Sequence, residues 1–298
     1  MSGSSSNTAT SMAESPRTVQ VTRLGFPNAR INVGLQIRGK RPDGFHTLES
    51  LFIPVPWQDA LEIETLPEGA TCGLTPHGLA IPGRPQDNLI LKAYEVLAAH
   101  FQMPPVHFHL VKSIPMGAGL GGGSSDAACA LKLLDAHFNL GLSSERLRAF
   151  AAQLGSDCPF FIDNVPARVT GRGEHVEAAA LDLAGWWVAI LHPGIHVPTV
   201  DAFGWITPND DRPGLEQWVN SSPSDWNAAL RNDFTAPVAD RFPEVADALN
   251  RLHGAGATFS DMSGSGSAVF GFFSSEPDDA LILDCPPSWK TWKGRLAD

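Results

Sequence analysis

The stretch PMGAGLGGGSSDAA, from Pro115 to Ala128, places five glycines in seven residues and runs directly into an apolar helical pattern. A glycine costs about 1 kcal/mol relative to alanine inside a helix, so this density indicates that the backbone itself has a task. In a tight loop, glycines let successive backbone N–H groups converge, and a helix beginning at Ser124 or Ser125 adds partial positive charge at its amino end. The stretch therefore predicts a phosphate-binding loop followed by a helix.

Two better-known nucleotide-binding loops match this stretch only in part. GAGLGG fits the GxGxxG dinucleotide fingerprint, but that fold needs a second strand with an acidic residue about 20 residues further on. Here the next segment, SSERLRAFAAQL, predicts another helix. The P-loop pattern also fails, because Gly123 stands where its lysine should be. On these residues alone, a plain strand-to-helix connection with Ser125 as an N-cap stays open.

The segments on either side of the loop predict an α+β protein. INVGLQI, TLESLFIPV and PVHFHLVKSIP alternate as strands, whereas DNLILKAYEVLAAHF has helical periodicity behind an Asp or Asn cap. The helix after the loop is expected to stop at Gly141, and the next helix at Gly155. A second glycine-serine loop, MSGSGS, leads into the strand AVFGFF. The pattern weakens between Gly171 and Gly185, which predicts a join between two domains there.

Composition and charge exclude several kinds of partner. The 298 residues carry a formal net charge of −11, which has the wrong sign for nucleic acid or an acidic membrane surface as the main partner. The 4 cysteines show no CxxC spacing, which argues against a zinc site or a disulfide framework. Residues 1–17 are predicted to be a disordered tail without the apolar run of a signal peptide, and no stretch approaches the roughly 20 apolar residues that span a bilayer. We therefore expect a cytoplasmic protein.

Six stretches, in order along the chain, resemble the GHMP kinases: FPNARINVGLQIRGKRPDGFHTLESLF, DNLILKA, PMGAGLGGGSSDAA, LGSDCPFF, HPGIHVPT and MSGSGSAVF. The GLGGGSS form is most similar to the branch that phosphorylates a hydroxyl of a cytidine diphosphate-linked methylerythritol in the non-mevalonate isoprenoid pathway. The resemblance implies an ATP-dependent kinase of a small-molecule substrate that works with magnesium. It also implies a ribosomal-protein-like N-terminal domain at 18–175, a ferredoxin-like C-terminal domain at 176–298, and an active site between them. Metal ligands and oligomeric state stay unknown.

The resemblance also assigns catalytic residues. The catalytic aspartate of the family falls at Asp157, which on local sequence alone is equally well explained as a turn or N-cap residue. The family normally has a lysine in the motif PxAKxN, where this chain has Arg30. Arginine keeps the positive charge but cannot give up its proton, so an electrostatic role is expected and a role in proton transfer is not. We expect activity to be retained, with a catalytically impaired nucleotide-binding homologue as an alternative.

The predicted binding residues form two groups. For the nucleotide, they are the loop residues Pro115, Met116, Gly117, Ala118, Gly119, Leu120, Gly121, Gly122, Gly123, Ser124 and Ser125, with Asn88 and Lys112 flanking an adenine pocket. For the substrate, they are Asn32, Phe45, His46, Thr199, Phe203, Gly264 and Gly266. Family members usually have tyrosine at Phe45, so stacking on cytosine is expected without the hydroxyl; Phe45 as a core residue is an open alternative. Another GHMP kinase, with a different alcohol substrate, and a dinucleotide-dependent oxidoreductase are the rival functions.

Overall fold

The computed structural model describes residues 22–226 and 230–296, so the predicted tail at 1–17 lies outside the described residues. The N-terminal half contains two four-stranded sheets. The first has the order β1 (Thr22–Gly25), β4 (Ala60–Thr65), β6 (Val106–Lys112) and β5 (Gly73–Gly78), with only β5 and β6 parallel. The second is antiparallel, in the order β2 (Asn28–Lys40), β3 (His46–Gln58), β7 (Ala167–Gly171) and β8 (His175–Ala178).

Four helices complete this half: α1 (Leu89–Ala98), α2 (Gly122–Phe138), α3 (Ser144–Leu154) and α4 (Phe160–Asp163). Asn88 caps α1 by accepting the Ile90 N–H at 2.9 Å, as the sequence predicted. Alternate residues of β6, Phe108 among them, are fully buried in one core with the apolar face of α2. Burial of each large apolar side chain contributes about 1.5–3 kcal/mol, so this core fixes α2 against the first sheet.

The ends of α2 differ from the prediction. The helix begins at Gly122 rather than Ser124 or Ser125, and the Ser125 N–H already donates to the carbonyl of Gly121. The cause is Gly121, whose left-handed φ of 70° turns the chain into the helix without any side-chain cap. At the other end Asn139 takes the left-handed position that was expected at Gly141, because asparagine tolerates that conformation.

The C-terminal half is built on one antiparallel sheet, in the order β10 (Phe259–Met262), β11 (Val269–Phe273), β9 (Trp187–His192) and β12 (Lys290–Arg295). Its helices are α5 (Thr199–Gly204), α6 (Thr235–Arg241), α7 (Pro243–Gly254) and α8 (Ala280–Leu283). Buried residues of α6 and α7 pack on one face of this sheet. The architecture confirms the predicted α+β fold class. No helix within the described ranges is long and apolar enough to cross a bilayer.

Buried apolar clusters join the two halves. Ile31 of β2 and Ile53 of β3 belong to the same apolar core as Ile190 of β9 and Phe270 of β11. The strands of the second and third sheets are therefore held against each other, which fixes the geometry of anything built between them. The predicted domain boundary between residues 175 and 176 would divide β8, which pairs with β7 through Ala178.

Candidate active site

The two glycine-rich loops predicted from the sequence meet in space. The first joins β6 to α2, and the second joins β10 to β11. The Ser263 hydroxyl donates to the carbonyl of Gly119 at 2.6 Å, and the Ala268 N–H donates to the carbonyl of Ala118 at 3.0 Å. A Cβ on Gly264 would lie 3.1 Å from the Gly119 Cα. Only residues without side chains permit this approach, so each loop fixes the other.

The first loop has the backbone form of an anion cradle. Gly117, Gly119 and Gly121 have φ angles of 65°, 78° and 70°, whereas Ala118 and Leu120 between them do not have positive φ. This alternation turns successive N–H groups toward one side, where they form a concave site for negative charge. The first turn of α2 adds N–H groups without intrahelical partners and the positive end of the helix dipole. The cradle needs no lysine, which explains why the P-loop pattern fails.

A charged pair lies beside the cradle. The Arg30 guanidinium, on β2, donates to Asp157 Oδ2 at 2.5 Å and to the carbonyl of Gly119 at 2.5 Å. Its charge also lies 4.8 Å from the centre of the Phe52 ring. The Arg30 side chain is 8% exposed and the Asp157 side chain 24% exposed, so the arginine is buried and the carboxylate is the more accessible member of the pair. The pair predicted from two distant motifs is thus brought together.

One cleft of about 1070 Å³ contains most of the predicted site residues. It is lined by Arg30, Asn32, Phe45, His46, Pro115, Met116, Gly117, Ala118, Gly119, Leu120, Gly121, Gly122, Gly123, Ser124, Asp157, Thr199, Phe203 and Gly264. This volume lies at the upper end of what small-molecule sites enclose.

Aromatic rings form a further part of the cleft lining. His46 stacks on Phe203 with ring centroids 4.5 Å apart and planes inclined by 16°. Burial and, secondly, the charge of Lys40 lower the pKa of His46, which favours a neutral ring able both to donate and to accept at neutral pH. Phe45 is 56% exposed, so the alternative of a core residue is wrong. These rings offer flat faces and one polar edge to a planar ligand.

Four predicted residues do not line this cleft. Asn88 lines a smaller side pocket of about 200 Å³ together with Met116 and Gly123. Ser125 is buried inside α2. Gly266 lies in the second loop, where a Cβ would meet the Met262 sulfur at 2.7 Å.

The fourth, Lys112, requires a correction. Its side chain is fully buried and paired with Asp59 and Asp126, so its ammonium cannot reach a ligand in the cleft. The resemblance to the family placed it at the nucleotide, because it matches a position that flanks the adenine pocket of the family. The partner that removes it from the ligand, Asp59, lies 53 residues away in sequence.

The cleft residues that were missed from the sequence include three with basic side chains: Lys40, Arg172 and His196. The Arg172 guanidinium lies 5.0 Å from the Phe45 ring centre. A Cβ on Gly117 would lie 3.1 Å from His196 Nδ1, so this ring stands against the cradle. Arg172 falls in the segment where the pattern is weakest and carries no local signal. Lys40 adjoins the RPDGFH turn, which could have indicated it.

Two family models match the chain. The model for the GHMP kinases N terminal domain matches residues 88–172, and the model for the GHMP kinases C terminal region matches residues 214–287, together more than half of the chain. The chain belongs to the GHMP kinase family. The predicted family and the predicted enzyme class, a small-molecule kinase, are confirmed, and the dinucleotide-dependent oxidoreductase is excluded as a description of this fold.

Individual GHMP kinases match over most of their length. The protein of Bacteroides thetaiotaomicron named 4-diphosphocytidyl-2-C-methyl-D-erythritol kinase is 44% identical over 278 residues, covering 92% of this chain and 100% of that protein. The protein of the same name from Salinibacter ruber is 37% identical, covering 82% of this chain and 88% of its own. A crystal structure of 4-(cytidine 5'-diphospho)-2C-methyl-D-erythritol kinase matches with a TM-score of 0.76 and 32% identity over 93% of this chain and 100% of that chain. The Methanococcus jannaschii mevalonate kinase, at 11% identity and a TM-score of 0.69, shares the fold.

Proposed function

We propose that this protein transfers a phosphoryl group from ATP to a hydroxyl of 4-diphosphocytidyl-2-C-methyl-D-erythritol. The observation that carries the proposal is the content of the cleft: one lining contains a glycine cradle, the Arg30–Asp157 pair, and the rings of Phe45, His46 and Phe203. The relatives with that name, at 37% identity and above, support the substrate. A cytoplasmic location stays a prediction from the sequence.

The cradle suits the phosphates of ATP. Three alternating left-handed glycines and the amino end of α2 supply N–H donors at the place where the loop lines the cleft. A Cβ on Gly122 would lie 3.0 Å from the Ile114 side chain, so Gly122 packs closely against the protein interior. The side pocket with Asn88 adjoins the cradle at Met116 and Gly123, and we place the adenine there.

Magnesium fits this donor set as a companion of the nucleotide. The described residues form no cluster of three or more His, Cys, Asp or Glu side chains that would hold a metal by itself. Mg²⁺ bound with nucleotides takes phosphate oxygens, water and one or two protein oxygens, and the cleft offers the Ser124 hydroxyl and the Asp157 carboxylate. The ion would neutralise charge on the phosphates.

Asp157 is the residue that we assign to the attacking hydroxyl. Its carboxylate is the acidic group that lines the cleft among the described residues, and it lies beside the cradle. We propose that it orients the hydroxyl and accepts its proton, while Arg30 holds the carboxylate in place and contributes positive charge near the transferred group. Because Arg30 stays charged, it takes no proton in this scheme.

The aromatic part of the cleft lining suits the cytosine ring. Phe45 offers an exposed ring face, and a neutral His46 supplies one donor and one acceptor to the polar edge of a base. A base that stacks on this part of the lining leaves the remainder of the substrate to extend toward Asp157 in the same cleft.

The direct test is incubation of the protein with ATP, magnesium and the cytidine diphosphate-linked alcohol, followed by phosphorus NMR. We expect a new monophosphate ester signal and stoichiometric ADP. Parallel reactions with mevalonate and homoserine cover the rival within the family. Turnover of one of these alcohols, without turnover of the cytidine compound, would replace the proposed substrate; ATP binding without turnover of any of them would favour the impaired homologue.

A further inference from the structure

A buried ion cluster lies beneath the glycine loop. Lys112 Nζ pairs with Asp59 Oδ2 and, at 2.8 Å, with Asp126 Oδ2. The three side chains are 0%, 0% and 5% exposed for Lys112, Asp59 and Asp126. The second oxygen of Asp59 accepts the backbone N–H groups of Ser113 and Ile114, at 2.5 and 2.8 Å. The Asp59 carboxylate therefore binds both the Lys112 ammonium and the backbone of the two residues that follow it.

The position of the cluster connects both ends of the loop. Lys112, Ser113 and Ile114 are the residues immediately before Pro115, and Asp126 lies in α2 immediately after Ser125. Asp59 stands between β3 and β4, outside the loop and its flanks. Lys112 Nζ lies 2.9 Å from the point that a Cβ on Gly122 would occupy, so the ammonium is directly behind the start of the helix.

Stabilisation of the fold does not account for this buried ion cluster. Replacement of a buried ion cluster by neutral residues of similar volume is often neutral or stabilising, because desolvation offsets the attraction. Here two carboxylates share one ammonium, and Asp126 Oδ1 has no hydrogen-bond partner among the described residues. Burial, reinforced by Asp59 and opposed by Lys112, raises the pKa of Asp126 to about 7. The groups charged or titratable around Asp126 are Lys112, Asp59 and, on its own helix, Cys129.

We propose that Asp59 and Lys112 are positioning residues that set the spacing between the two ends of the glycine loop, so that nucleotide affinity depends on side chains that line neither the cleft nor the side pocket; their partner Asp126 lines the side pocket itself. The inference rests on the proposed use of the loop as the ATP site. It requires no particular alcohol substrate.

The test is Asp59→Asn, which leaves the side-pocket residue Asp126 unchanged. It removes one net negative charge near the phosphate site, which by itself favours ATP binding. We expect a variant that still unfolds cooperatively on heating, a dissociation constant for magnesium-ATP raised by about tenfold or more in calorimetry, and a kcat at saturating ATP within about threefold of the wild type. A loss of affinity has the opposite sign to the change in charge, so only altered loop geometry accounts for it.

The matched control is Glu49→Gln. Glu49 is another buried carboxylate paired with two arginines, Arg38 and Arg168, and it lines neither the cleft nor the side pocket. We expect it to leave the dissociation constant for ATP within about twofold of the wild type.

An unchanged ATP affinity in folded Asp59→Asn overturns the inference, and so does an equal loss of affinity in the control. If Asp59→Asn does not fold, the double variant Asp59→Asn with Lys112→Met, which removes one charge of each sign, is compared with Glu49→Gln by the same criteria. Binding is measured without the alcohol, so a wild type that binds ATP but does not phosphorylate the cytidine compound contradicts the proposed substrate and leaves this test intact.

Discussion

Replacement of Arg30 separates the two contributions of its guanidinium. The group donates one hydrogen bond to Asp157 and another to the carbonyl of Gly119, both at 2.5 Å. Arg30→Lys retains a charge that can pair with Asp157, but a single ammonium does not reproduce the fork that reaches both acceptors. Arg30→Ala removes both bonds.

The expected magnitudes follow from these two bonds. A hydrogen bond to a charged group contributes about 1.5–3 kcal/mol, and the 24% exposure of Asp157 places this pair at the lower end because water replaces part of the interaction. Loss of one bond in Arg30→Lys therefore lowers kcat/KM by about tenfold, and loss of both in Arg30→Ala by about 10²-fold.

The assay is steady-state ADP release with the cytidine diphosphate-linked alcohol, with ATP affinity measured separately by calorimetry. We expect turnover by the wild type and the order wild type, Arg30→Lys, Arg30→Ala. Two results refute the reasoning. A wild type without turnover that Arg30→Lys restores would show that arginine disables the site, and an Arg30→Ala variant as active as the wild type would show that the pair has no part in the reaction.

Three further predictions concern the neighbouring residues. Asp157→Asn should keep ATP binding in calorimetry and lose most turnover, and near-normal turnover would remove Asp157 from its role. Gly119→Ala should raise the KM for ATP by about tenfold or more, because Gly119 has a φ of 78° and the new Cβ overlaps the carbonyl oxygen of Ser263. The control is Gly141→Ala, because Gly141 has a similar φ of 69° but open space around it, so this variant introduces the backbone strain without the contact. Equal effects of the two substitutions would contradict the explanation. The pKa of Asp126 is about 7 in the folded chain against an ordinary 3.8, so its contribution to stability is present below about pH 4 and is lost as the pH rises through about 7. Asp126→Asn should therefore raise the unfolding midpoint in scanning calorimetry more at about pH 8 than at about pH 5. Equal shifts at the two pH values would exclude this titration.

Local patterns predicted the elements well where a side chain or a glycine carries the signal. Asn88 caps α1 and Gly155 ends α3 as expected, because both act within one turn of the backbone. The start of α2 was predicted two to three residues late, because Gly121 caps it through its backbone angle alone and offers no side chain to recognise. The phosphate loop itself could be predicted from glycine density before any family was known.

Contacts between distant residues could not be predicted from periodicity. Arg30 and Asp157 are 127 residues apart, and local sequence left Asp157 equally well explained as a turn residue. Only the resemblance to a family joined them. The same resemblance put Lys112 beside the adenine pocket, and nothing near Lys112 in sequence indicates that Asp59 keeps its ammonium in the core.

The arginine at position 30 differs from a lysine chiefly through its hydrogen bond to the carbonyl of Gly119. That oxygen has two lone pairs, and it accepts from the Arg30 guanidinium at 2.5 Å and from the Ser263 hydroxyl at 2.6 Å. The Ser263 hydroxyl in turn accepts the Asn32 N–H of β2 at 3.2 Å. One peptide unit of the cradle is thus tied to the carboxylate of Asp157, to β2 and to the second glycine loop. A lysine supplies the charge without this connection, so arginine couples the position of the Asp157 carboxylate to that of the glycine loop, which the proposed function assigns to the proton acceptor and the phosphates.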